Sequence, residues 1–331
     1  MNIYTGEKEA RLNIPIEGED DPALEGIPVE QAMVVVEQPE PEKEEPKQVP
    51  IPPNAPPYDA VGKIQQPPPN SGDAATFSAA TLAIKTEGQD FDTSLDDLSE
   101  LAHDIYFGLE VGRDRATVEK LLCFALGVGS EKFPATENKR DYKAATILAA
   151  AVQNNPSALK EITGYGKEVW HPTWCSEPTR TEHVVKIIGS TLADQRDPSA
   201  VKAKVALING VMKDPKVRDE FVRAGVMEVL LAMWLKEGEQ WDIVKIKVAQ
   251  LVMDTFLDES MGAELGVWPK GAASKSKVCE SKHSMLEDGC WEHHVESFLK
   301  LSPQSSWAEE LLKTLREQRA MVEKPILHSE L

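Results

Sequence analysis

From Leu95 onward, apolar residues recur at helical spacing. Leu95, Leu98, Ala102, Ile105 and Leu109 step by 3, 4, 3 and 4, which is one stripe along one helix. Thr93 or Ser94 is placed to cap that helix, Asp96 and Asp97 suit its first turn, and Gly112 marks a stop. Val118, Leu121, Leu122 and Ala125 predict a second helix over 116–126. Others are predicted at 138–153, 157–163, 182–193, 199–212, 216–224, 226–236, 239–257, 290–301 and 304–322. Pro156, Pro198, Pro215 and Pro303 fall at helix starts, where a missing N–H costs nothing. Strand signals are nearly absent, so the fold class is all-α.

An internal repeat organises these helices. Leu148–Ala158 lies over Leu207–Val217, so the corner Asn155-Pro156 recurs as Asp214-Pro215 after 59 residues, and Glu161-Ile162 recurs as Glu220-Phe221. From Asp214 the order is a short helix, a turn at Ala224-Gly225, a medium helix and a long one. This triplet is armadillo-like, a unit of roughly 40–47 residues. The surplus is placed in an insertion at about 164–181. One triplet cannot bury its apolar face alone, so neighbours must stack into an armadillo-like helical solenoid. The domain is expected to run over 91–325, with a concave groove lined by the third helices. Groove contacts are expected from polar positions on the long helices: Lys204, Asn209, Lys247, Gln250 and Asp254.

The first ninety residues read differently. Of the 23 prolines in the chain, fourteen lie in 1–70, alongside fourteen acids and five bases. Each proline deletes a donor and biases its predecessor toward extended backbone. The apolar content is too small to offset the entropy of ordering. Residues 1–90 are therefore expected to form a disordered acidic Pro-rich tail. Met33–Val36 is its one apolar patch, either a solvated segment or a short stretch that docks on a partner.

The net charge of −19 excludes nucleic-acid binding by long-range attraction. It also opposes self-association, so a monomer is expected. No apolar run reaches the length that spans a membrane. Four cysteines are too few for a disulfide-built scaffold. Cys279 and Cys290 are read as a disulfide or as two free thiols. The alternative, a zinc site with His283 and His293, has too short an intervening loop. Cys123 lies on an apolar stripe and reads as a small core residue. His171-Pro172-Thr173-Trp174-Cys175 lacks the partners of a nucleophile. His103-Asp104 reads as a local structural pair, and Gly127-Val128-Gly129 as a helix stop rather than a phosphate loop. No metal, cofactor or catalytic residue is expected.

Several segments carry a resemblance. Leu95-Asp96-Asp97-Leu98-Ser99-Glu100-Leu101-Ala102-His103-Asp104-Ile105-Tyr106-Phe107-Gly108-Leu109-Glu110 resembles the opening helix of the armadillo-type nucleotide exchange factors of the heat-shock chaperone ATPases, in their fungal endoplasmic-reticulum branch. Ile3–Leu12 and Gln153-Asn154-Asn155-Pro156 with Ala158-Leu159-Lys160 are similar to the same proteins. The C-terminus His328-Ser329-Glu330-Leu331 resembles the H-D-E-L retrieval address of lumenal proteins, with Ser329 in place of the usual Asp. Together these imply a lumenal protein, retrieved by a receptor, although Met1-Asn2-Ile3-Tyr4-Thr5 opens no signal peptide. The resemblance implies that the groove grips one lobe of the nucleotide-binding domain of the chaperone BiP, opens its cleft and releases ADP. It makes no bond, so the protein is expected not to be an enzyme. The alternatives are a passive armadillo adaptor and a thiol or metal enzyme built on helices.

Overall fold

The structure is a computed structural model that describes residues 64–69, 71–175 and 182–323. Every described residue lies in one compact unit, Ala60–Leu331. Met33–Val36 and His328–Leu331 lie outside the described residues.

Among the described residues the fold is all-α, and the helices fall into a cap, three triplets and a C-terminal closure. The cap is α1 (Gly72–Thr86) and α2 (Phe91–Leu101). The first triplet is α3 (Ile105–Arg113), α4 (Arg115–Ala125) and α5 (Arg140–Val152). The second is α6 (Pro156–Gly164), α7 (Val184–Thr191) and α8 (Pro198–Val211). The third is α9 (Pro215–Arg223), α10 (Val226–Trp234) and α11 (Asp242–Val252), which runs on into a π-helical turn at Met253–Leu257. The closure is α12 (Ser276–Cys279), α13 (Trp291–Leu301) and α14 (Ser306–Glu323).

Like packs on like from one triplet to the next. First helices meet as α3 on α6, second helices as α7 on α10, and third helices as the ladder α5–α8–α11. Polar corner residues start the helices. The Asn155 carboxamide accepts the Ala158 N–H, Asp197 accepts that of Ser199, and Asp214 accepts those of Lys216 and Val217. The ladder is dry: Ala144, Ala145, Ile147 and Ala151 of α5, Val201 and Val205 of α8, and Val244, Val248 and Leu251 of α11 are buried. Gly210 permits the closest approach, because a Cβ there would lie 2.4 Å from Val152 Cγ2.

Three sequence expectations are corrected. Residues 72–86, assigned to the tail, form α1. Ser71 caps it by accepting the Ala74 N–H, and Ala80, Thr81 and Ile84 bury against the next helices. The single helix expected over 95–109 is two helices, α2 and α3. Asp104 breaks the run by accepting the N–H groups of Tyr106 and Phe107, and so begins α3. Gly112 stays inside α3. It is small because a Cβ would lie 3.1 Å from the Ala158 carbonyl of α6.

Candidate functional site

The third-helix ladder offers one solvent-facing stripe on each rung. On α8, successive residues turn by 100°, so Lys202, Ala206 and Asn209, with Lys213 just beyond the helix, share a face. Lys202 and Lys213 are exposed and Asn209 is half-buried. On α11, Ile243, Lys247 and Gln250 line up, and Asp254 of the π-helical turn extends the row. Gln250 is exposed, while Lys247 and Asp254 are half-buried. Burial pushes the Asp254 carboxyl up, with Lys213 and Lys247 opposing and Asp258 adding to the rise. Because α11 packs on α8, the two stripes lie on adjacent rungs and make a mainly polar face that also carries Ala206 and the exposed Ile243. Its edge is a π-helical turn, an irregularity that recurs at functional sites.

Lys204 does not belong to this face. It is 2% exposed, and its Nζ lies 3.7 Å from Asp141 Oδ2 of α5. Gln195 Nε2 donates to the same carboxylate oxygen at 3.2 Å. Burial drives the Lys204 amine down, with Asp141 opposing. Lys204 and Asn209 are five residues apart, about 140° around the helix, and so cannot share a stripe. That arithmetic was available from the sequence and replaces Lys204 with Lys202 and Lys213. The Asn209 Oδ1 is buried and makes no hydrogen bond.

Both pairs of cysteines are joined. Cys279 and Cys290 are bonded with Cα atoms 5.4 Å apart, which removes both sulfurs from any zinc site. Cys123 is bonded to Cys175, with Cα atoms 5.5 Å apart. Cys123 is buried in the core as its stripe position suggests, and the bond gives it a partner that the sequence reading did not assign. The insertion that follows α6 folds back onto α3 and α4: Tyr165 Oη donates to the Gly112 carbonyl at 2.6 Å, and Arg115 reaches Glu168 at 2.9 Å. That return path brings Cys175 to α4, and no local pattern announces it.

His171, His183 and Glu220 gather where the insertion meets α7 and α9. His183 Nε2 lies 3.6 Å from Glu220 Oε1, and His171 Nε2 lies 3.9 Å from it. Burial first, then His171 and Lys186, push the His183 pKa down to about 4, so the ring is neutral near pH 7. Its Nδ1 accepts the Val185 N–H at 3.2 Å, which puts the proton on Nε2. Nε2 thus offers a donor toward Glu220, where a metal would need a lone pair. At these distances the buried His183 Nε2 makes no hydrogen bond, so the cluster is a near-contact between the insertion, α7 and α9.

A family model described as nucleotide exchange factor SIL1 matches residues 73–320. The chain belongs to the SIL1 family. The SIL1 match begins inside α1 and ends inside α14, so it embraces the cap, all three triplets and most of the closure. Nucleotide exchange factor SIL1 of Candida albicans (strain SC5314) is 29% identical over 99 residues, 28% of this chain and 22% of that protein. The match therefore spans less than a quarter of that relative's length. No solved structure matches the chain.

Proposed function

We propose that this protein is a nucleotide exchange factor for BiP, the heat-shock chaperone of the endoplasmic-reticulum lumen. The observation that carries the reading is a SIL1-family match that runs the length of the helical array. The polar face on α8 and α11 supplies a surface for the chaperone's nucleotide-binding domain, with Asn209, Lys247, Gln250 and Asp254 among its contacts. The factor binds the open-cleft form of that domain more tightly than the closed, ADP-bound form. The difference in binding energy opens the cleft, and ADP leaves. The coupling is reciprocal, so ADP weakens the factor by the same ratio. No bond is made or broken.

Two disulfides suit an oxidising compartment. His328–Leu331 is read as the address that a retrieval receptor recognises, and residues 1–63 as an acidic tail.

The test is release of fluorescent ADP from full-length BiP. The expected result is faster release on adding the protein at equal concentration. Unchanged release with intact binding would make it a passive adaptor.

A further inference from the structure

We infer that Lys202, Lys213 and Lys247 form a cationic docking strip for a carboxylate-rich face of the partner protein. The inference rests on the exchange-factor reading and names the chemistry of its contact.

Charge is distributed unevenly over this chain. The whole carries −19, yet α5, α8 and α11 together hold six bases and two acids. Four of those bases are committed internally. Arg140 reaches Asp92 at 2.6 Å and Lys143 reaches Asp96 at 2.6 Å. Lys204 faces Asp141, and Lys245 reaches Asp242 at 3.1 Å. Lys202 and Lys247 remain, joined by Lys213 two residues past α8. Among the described residues none of these three makes an ion pair with a carboxylate within 4.0 Å. In a protein with nineteen surplus acids, three lysines free of ion pairs stand on adjacent rungs, two of them opposing the burial of the Asp254 carboxyl.

The strip has length as well as charge. Eleven residues separate Lys202 from Lys213, about 16 Å along the helix axis, which exceeds the screening length of roughly 8 Å at physiological salt. It can therefore meet several carboxylates spread over a folded face. Its other occupants select among anions. Asn209 and Gln250 offer amides, and Asp254 offers an acid beside Lys213 and Lys247. A mixed face of this kind fits a protein surface of carboxylates with interspersed donors. A polyphosphate or nucleic acid is opposed by Asp254 at close range and by the net charge at long range.

The experiment measures association and dissociation of the full chain with ADP-bound full-length BiP at 50 and 300 mM salt, beside ADP release. The key variant is Lys202→Glu with Lys213→Glu, and Lys313→Glu on α14 is the control. Circular dichroism and melting temperature establish that each variant is folded. The expected result is an association rate about tenfold lower at 50 mM salt for the double variant, a smaller deficit at 300 mM, and little change for the control. Wild type that speeds ADP release while the double variant associates as fast as wild type at both salts overturns the strip and leaves the exchange reading standing. Wild type that binds without speeding release overturns the exchange reading, and the salt dependence of the double variant still decides the strip. Wild type that does not bind overturns both.

Discussion

The α5–α8–α11 ladder and the α12–α14 closure are held together by different means. In the ladder, small and branched side chains pack rung on rung, with Gly210 admitting Val152. In the closure, Trp268 and Trp291 stack edge to face, and Trp234 packs against Phe298 and Trp307. A disulfide joins Cys279 to Cys290. Arg319 of α14 is 3% exposed; it pairs with Glu292 of α13 and donates to the Gly271 and Asp288 carbonyls. A repeat inside the stack has its apolar face covered by the next repeat, so apolar burial carries most of the contact, with the buried Lys204–Asp141 pair between α8 and α5 as the polar exception. The last rung has no successor. Its cover combines α13 and α14 with the irregular stretch before them, which the Cys279–Cys290 disulfide and the Arg319 contacts tie to those helices.

The sharpest way to break this contrast is Arg319→Ala. It leaves the buried Glu292 carboxylate without its partner and should cost about 3–5 kcal/mol, read by urea unfolding. Arg319→Met combined with Glu292→Leu should recover part of the loss, because the buried Glu292 charge is removed with its partner while Asp288 and the Gly271 carbonyl still lose the guanidinium. Replacing Cys279 and Cys290 with serine comes next. Their loop of 11 residues limits the chain-entropy loss to about 2–3 kcal/mol. On the ladder side, Gly210→Ala forces a methyl into Val152 and should cost about 1–2 kcal/mol, most of it restored by Val152→Ala in the same chain.

The smallest effect concerns pH at the cap. The Arg140 guanidinium holds the Asp92 carboxyl below its ordinary range. The stability it contributes is present above the unfolded carboxyl value, near pH 4, and is lost as pH falls through the lower folded value. Asp92→Asn should flatten the acid side of the stability curve by less than about 1 kcal/mol, since the pair is partly exposed.

The second and third triplets were legible because their first helices, and α8 within the second, begin with a polar residue that writes its own cap. Asn155-Pro156, Asp197-Pro198 and Asp214-Pro215 are local signals, and the structure starts α6, α8 and α9 at those prolines. α1 was missed because its buried residues include Ala80 and Thr81, which give little hydrophobic contrast beside a Pro-rich stretch. The α2–α3 break was missed because the apolar stripe runs across it while Asp104 interrupts only the backbone. Cys123 paired with Cys175 through the folding of an insertion, a tertiary event without periodicity. On the candidate face, Lys247, Gln250 and Asp254 follow from spacing on one helix. Polarity alone admits Lys204 to the face, and rotation around α8 assigns it to the interior.

The central claim is that the partner lies against the α8–α11 face, and lysine footprinting of the complex with BiP tests it most directly. Acetylation read by mass spectrometry should fall at Lys202, Lys213 and Lys247 when ADP-bound BiP is added, and stay constant at Lys313 of α14. Protection at Lys313 with the three ladder lysines still fully reactive would contradict the account.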